Sequence, residues 1–306
     1  MKEMINYIDE LNSLIKNIER PKSDEVFPNI FIFGVPRSGT TLLSQVLVHC
    51  LDVGYVNNLT ARFYNAPFLG AVLTKELSIE KKISFNSSFG RTPLISDPHE
   101  FGYFWSDVLG FSSSQNMAVT DSDPSKIKLD RLKEEVIALN KVWEKPCVFK
   151  NVLTGLFVKE ISSVLKRSIF IYIERDLIDN AISILKVREK LYGDKKIWWS
   201  LKPKKYSRIK DKSPEMQVIA QVCCLQEEFK KRMINMENVL RVEYRELCEK
   251  PMHIVSKVKY FVLKHTGFDV KIENKKETLA FKTYNKNNRL EKYLKKIIEG
   301  YSNGIC

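Results

Sequence analysis

Gly34-Val-Pro-Arg-Ser-Gly-Thr-Thr41 sets two glycines, a serine and two threonines around one arginine, a combination suited to holding an anion. Glycine-rich turns let successive backbone N–H groups converge on phosphate oxygens, and a helix starting just beyond adds the positive end of its dipole. Gly34 and Gly39 keep the spacing of the GxxxxGK[ST] phosphate loop, with one difference: Thr40 stands where nucleoside triphosphatases place lysine. The cation comes earlier, as Arg37. Pro36, Arg37, Ser38, Gly39, Thr40 and Thr41 are therefore candidate anion-binding residues, and the displaced cation argues against magnesium-dependent triphosphate chemistry. A bare tight turn between strand and helix would need the glycines alone; it leaves the order of strand, loop, hydroxyls and helix unexplained.

The run GVPRSGTTLL resembles the 5′-phosphosulfate loop of sulfotransferases that use 3′-phosphoadenosine 5′-phosphosulfate (PAPS), and is especially similar to that loop in tyrosylprotein sulfotransferases and their bacterial relatives. In that family a strand ends in arginine and a serine lies eight residues on, the two together holding the donor's 3′-phosphate. Here Ile169-Phe-Ile-Tyr-Ile-Glu-Arg175 is followed by Ser183. A guanidinium with a hydroxyl is what a phosphate absent from ATP would need. Each residue also has an ordinary reading: Arg175 can pair with Asp176 or Asp179, and Ser183 can be a small helical residue. The resemblance implies an enzyme that moves a sulfuryl group from PAPS, its co-substrate, to an acceptor hydroxyl, with no metal required.

That reaction needs a base for the acceptor, cations for the charge that develops on the sulfonate and leaving phosphate, and in-line positioning. Arg37 can supply one cation. Lys150, which matches a lysine of the resembling family, can supply another, although a strand terminus facing solvent would look the same. For the base, Ser96-Asp-Pro-His-Glu-Phe-Gly-Tyr-Phe-Trp105 sets His99 and Glu100 beside aromatics, where partial drying shifts either toward a useful pKa. Both stay candidates, since residues 53–59 carry no acid where tyrosylprotein enzymes have their glutamate. Glu100 could equally cap the first turn of a helix. Tyr244, in a segment resembling the family's strand ending in Tyr-Glu, can stack near the nucleotide or serve as a buried anchor. The family's basic glycine-containing C-terminal motif is not found; residues 281–289 can stand in for it.

These residues must be carried by alternating elements. Asn29–Phe33 is rich in β-formers and precedes a helical pattern from Thr41 to Cys50. Further strands are expected at Cys147–Lys150, Ser168–Glu174 and residues 239–244. Helical stripes follow, as in Phe157, Ile161, Val164 and Leu165, and in Ile178, Ala181, Ile182 and Leu185. Such alternation predicts an α/β fold: a mostly parallel central sheet flanked by helices, with a nucleotide-binding core and inserted segments. One domain over residues 1–306 is expected, with an N-terminal helix and linker over 1–28. Residues 57–110 and 194–215 read as insertions on the acceptor side. In the second, Trp198 and Trp199 among lysines could hold a sugar ring bearing an acidic group, or fold inward.

With 44% hydrophobic residues the chain can bury a full core, and its formal charge of +13 favours anionic partners. Six cysteines form no CxxC pair and four histidines have no metal-ligand spacing, so a reduced, cytoplasmic setting is expected. The charged amphipathic start is unlike a signal peptide, and no apolar stretch is long enough for a transmembrane segment, though peripheral membrane contact stays open. The expected partner is a small-molecule or glycan acceptor with a hydroxyl, foremost a carbohydrate. Two rivals remain: a P-loop kinase, disfavoured by Thr40, and a non-catalytic nucleic-acid-binding protein, disfavoured because the positive charge is dispersed and no recognition motif occurs.

Overall fold

A computed structural model of the protein describes residues 2–114, 116–273, 279–281 and 288–300. Helix α1 (Lys2–Ile15) and an irregular linker lead to β1 (Asn29–Phe33), which turns directly into α2 (Thr40–Cys50), as the sequence predicts. Next come β2 (Gly54–Tyr55), α3 (Pro67–Glu76), α4 (Gly102–Val108) and α5 (Leu129–Trp143). The second half runs β3 (Cys147–Lys150), α6 (Val158–Val164), β4 (Ser168–Glu174), α7 (Leu177–Tyr192), α8 (Tyr206–Ile209) and α9 (Pro214–Arg232). It closes with β5 (Val239–Glu243), α10 (Tyr244–Glu249), α11 (Pro251–Thr266) and α12 (Asn288–Gly300). Among the described residues no helix is long and apolar enough to cross a membrane, and Cys147 and Cys248 are buried thiols.

The five strands form one parallel sheet in the order β2-β3-β1-β4-β5. Strand β1 is central, and the chain leaves it toward β2 and β3 on one side before crossing to β4 and β5 on the other. Ligands of open α/β sheets bind at the carboxyl ends of strands at such a switch point. The register brings Lys150 opposite Ile32 and Tyr172 opposite Phe33, so the ends of β3, β1 and β4 emerge together around the glycine-rich turn.

Side-chain alternation explains why these segments are strands. Ile30, Ile32, Val148, Ile169, Ile171 and Ile173 pack on one face against α2 and α11. The intervening aromatics face the opposite helices, and Phe31 stacks between Phe149 and Phe170 at 5.3 Å on each side. Each fully buried phenylalanine contributes about 2–3 kcal/mol by burial, and each aromatic pair about 1 more. Trp105 of α4 sets its ring edgewise to Phe31 and Phe149, which ties the segment carrying His99 and Glu100 to the sheet.

One expectation is corrected and one open alternative is decided. Tyr244 does not end a strand: β5 stops at Glu243, paired with Glu174, and Tyr244 opens α10. Trp198 and Trp199 are folded inward. The indole N–H of Trp198 donates to the Ser200 carbonyl at 3.1 Å, its ring lies under the Arg188 guanidinium with Tyr206 edgewise, and Trp199 packs on the main core. Arg188 is fully buried without a carboxylate and donates to Gln217 at 2.7 Å and Gln221 at 3.0 Å, binding the 194–201 segment to α7 and α9. Burial brings its pKa down to about 10.

Candidate active site

The turn after β1 is shaped by close approach. A Cβ on Gly34 would lie 2.5 Å from Ser38 Oγ and 2.6 Å from the Ile173 carbonyl. Gly39 has φ 107°, and a Cβ there would meet the Tyr244 ring at 2.2 Å. Between them Arg37 is left-handed, at φ 69°. Two carbonyls of the turn are held by donors from other elements, Pro36 by Asn180 Nδ2 at 2.7 Å and Arg37 by Arg175 Nη1 at 3.1 Å, while Val35 accepts from Ser38 N within the turn at 3.0 Å. The first N–H groups of α2, at Thr40 and Thr41, have no partner within their own helix by construction. Carbonyls held by donors and amides left at a helix start make a cradle for an anion.

Cations surround this cradle from three elements. Lys150 rises from the end of β3 with its side chain almost wholly buried; its Nζ lies 3.4 Å from Thr41 Oγ1 and 3.3 Å from Glu100 Oε2. The neighbouring strand thus brings an ammonium to a loop that has threonine at position 40. Arg37 donates from Nε to Ser183 Oγ on α7 at 3.1 Å. Burial, then the nearby Arg175 charge, holds the Arg37 pKa below the usual guanidinium range. Arg175, just past β4, lies over the Tyr244 ring at 4.4 Å. Burial raises the Tyr244 phenol, with Cys248 adding to the effect. Ser38 Oγ and Arg175 Nε are buried without a hydrogen-bond partner among the described residues. A buried polar group left unmatched costs about 1–3 kcal/mol, which an anionic ligand at this cradle would recover.

On the opposite wall the segment before α4 is stitched in place. His99 N donates to the Val56 carbonyl at 2.8 Å, Asn151 Nδ2 donates to the Glu100 carbonyl at 3.1 Å, and Phe101 takes a left-handed φ of 58°. The Phe101 N–H donates to His99 Nδ1 at 2.9 Å. A ring nitrogen that accepts a hydrogen bond carries no proton, so the neutral imidazole bears its proton on Nε2. Burial, then the Lys150 charge, pushes the His99 pKa down to about 4. At neutral pH His99 is a hydrogen-bond donor, whereas Glu100 presents a carboxylate beside Lys150.

Of the sequence-predicted site residues, Lys150 joins Thr41 and Glu100, and Arg37 joins Ser183 and Arg175, with Tyr244 against Arg175 and Gly39; Pro36, Ser38 and Thr40 lie within the same turn, and His99 precedes Glu100 with its bonds to Val56 and Phe101. Arg175 and Ser183 do not touch each other in this arrangement; each holds a different end of Arg37. Residues 282–287, within the segment considered as a substitute for a C-terminal motif, lie outside the described residues. Sequence reasoning missed Asn180 and Asn151. An asparagine within the apolar stripe of Ile178, Ala181 and Ile182 was the available signal for the first; for the second, nothing local distinguishes it from an ordinary helix cap.

A parallel sheet with an anion cradle at its switch point, cations converging from three elements and a carboxylate facing them defines a nucleotide-type group-transfer enzyme. The profile of the Sulfotransferase family matches residues 28–262, and the chain belongs to that family: it is a sulfotransferase. Comparison with curated proteins finds no match. Among solved structures the protein is similar to a sulfotransferase from Mycobacterium avium at 13% identity and a TM-score of 0.49, covering 98% of this chain and 73% of that one. It is also similar to a sulfotransferase from Mycobacterium tuberculosis H37Rv at 14% identity and a TM-score of 0.46, covering 92% and 74%. A third is a sulfotransferase from Alicyclobacillus acidocaldarius, at 13% identity and 0.41, covering 89% and 92%.

Proposed function

We propose that the donor is PAPS and that residues 34–41 cradle its phosphosulfate while Arg175, Ser183 and Tyr244 take the 3′-phosphoadenosine end. The observation that carries this reading is the convergence of Arg37, Arg175 and Lys150 on one loop whose Ser38 hydroxyl is buried and unpartnered among the described residues. Glu100 is the base. It takes the proton of the acceptor hydroxyl as the acceptor oxygen bonds to sulfur; the bond from sulfur to the bridging phosphate oxygen breaks, and the leaving 3′-phosphoadenosine 5′-phosphate (PAP) keeps that electron pair. Lys150 and Arg37 offset the growing charge on the transferring and leaving oxygens. Such charge stabilisation is worth about 10²–10³ in rate per group, and a positioned base about 10²–10⁴. His99 contributes an Nε2–H donor.

The reading extends to one domain whose 57–110 insertion forms the acceptor side, with a carbohydrate hydroxyl as the acceptor. In the 194–215 insertion Trp198 is half-buried under Arg188 with Tyr206 edgewise and Trp199 packs partly on the core, so the sugar itself is assigned to the 57–110 side.

Calorimetric titration with PAP in EDTA, repeated with ATP plus magnesium and with Arg175→Ala, tests the donor. Expected is metal-free PAP binding that exceeds ATP binding and weakens tenfold or more in the variant. Preference for magnesium-ATP would overturn the assignment.

A further inference from the structure

The wall around Glu100 is built from three pieces of the 57–110 insertion that are tied to one another. Asn58 Nδ2 donates to the Leu94 carbonyl at 2.6 Å and the Thr92 carbonyl at 3.1 Å, and Thr92 Oγ1 donates to the Pro98 carbonyl at 3.2 Å. Buried Asp97 accepts from Ser84 N, Ser84 Oγ and Leu94 N at 2.7–2.9 Å. This frame holds a tight hairpin in which Ser88 and Arg91 exchange backbone hydrogen bonds across Phe89 and Gly90, both at positive φ. The hairpin tip leans on the site: a Cβ on Gly90 would sit 3.5 Å from Glu100 Oε2, and Phe89 reaches α7, where Lys190 Nζ lies 5.4 Å from its ring centroid. The hairpin thus reaches from Glu100 to the last turns of α7.

Two arginines are carried by this frame and used by nothing else in it. Arg62 closes the short helical turn Thr60–Arg62 that directly follows Asn58 and Leu59; Arg91 is the last residue of the hairpin, beside Thr92. Both are exposed, and among the described residues neither meets a carboxylate within ion-pair distance. The bridge between Asn57 and Pro98 and the bond from His99 N to the Val56 carbonyl tie the chain leading into Arg62 to the segment that carries Glu100, and Arg91 follows Gly90, whose Cβ would lie 3.5 Å from Glu100 Oε2.

The geometry points to an acceptor that carries its own anion: Arg62 and Arg91 bind a carboxylate, phosphate or sulfate group of a hydroxylated substrate and thereby present its hydroxyl to Glu100. This rests on the sulfotransfer reading above and narrows its acceptor class. The acid at position 100 would repel an anionic substrate unless flanking cations exceeded it, and guanidinium pairs are suited to oxyanions.

PAP release from PAPS, followed with acceptors matched in pairs, tests it: p-nitrophenyl β-glucoside against its glucuronide, galactose against galactose 6-phosphate, and N-acetylglucosamine against its 6-sulfate. Expected is a kcat/KM at least tenfold higher for an acidic member, the pair identifying which anion is read. That ratio should fall fivefold or more in Arg62→Gln and in Arg91→Gln, should be partly kept in Arg91→Lys, and should shrink with added salt. PAP affinity, measured on each variant, reports that the fold and donor site are intact. Neutral members turned over as well as acidic ones, a preference that survives both substitutions, or no turnover of any acidic member by a protein that binds PAP would each overturn the proposal. Failure of PAP to bind at all would instead overturn the donor assignment.

Discussion

His99 and Glu100 are adjacent in sequence and opposite in chemistry, and one backbone hydrogen bond separates them. With Nδ1 accepting the Phe101 N–H, the imidazole cannot take a proton there without breaking that bond, and burial together with Lys150 opposes the charge in any case. Glu100→Gln is accordingly expected to lower kcat by about 10²–10⁴ while PAP affinity stays within a few fold. His99→Gln, which retains a donor, should lose far less, and its kcat–pH profile should match the parent's between pH 5.5 and 8. An inflection near pH 6–7 that disappears only in His99→Gln would show that the histidine is the titrating base.

The donor cradle belongs to elements rather than to any one residue. Its shape depends on the turn after β1 being pinned from α7 by Asn180 and from the end of β4 by Arg175, while α10 presses Tyr244 against Gly39. Asn180→Ala removes the donor to the Pro36 carbonyl and should cost about 1–3 kcal/mol in urea unfolding, with PAP binding weakened in parallel. Gly39→Ala adds a methyl where the Tyr244 ring stands and strains a positive φ, so PAP affinity should fall more than tenfold. Gly193→Ala, with positive φ but open space, serves as the control for backbone strain alone and should leave PAP affinity unchanged.

Across the whole molecule the site's electrostatics set an acid limit on stability. The folded-state pKa of His99, about 4, lies below its ordinary 6.5, so below pH 6.5 the unfolded chain binds more protons than the folded one. Above pH 6.5 the two states bind equally there and nothing is lost. As pH falls from 6.5 toward 4 the fold should lose about 2–3 kcal/mol through this residue, seen as a urea midpoint that drops between pH 7 and 4.5 and drops less in His99→Gln. The sheet and the β1 turn with its helix were legible along the chain, because isoleucine–aromatic alternation and a strand–glycine turn–helix order are local patterns with one good packing solution; the pairing of Arg175 with Ser183 was suggested by resemblance alone. Strand β2 and helices α5, α9 and α11 were not assigned from sequence: β2 has two residues, too few to show a period, and the helices lie where no chemical motif drew notice. Roles that depend on distance were likewise hidden. That Lys150 Nζ meets Thr41 Oγ1, that Arg37 and not Arg175 bonds Ser183, and that the chain leading into Arg62 is bridged to the segment of Glu100 all follow from contacts between residues far apart in the chain. Residue type and spacing determined the class of protein this is; only tertiary packing, by fixing neighbours and excluding water, decided which atoms meet.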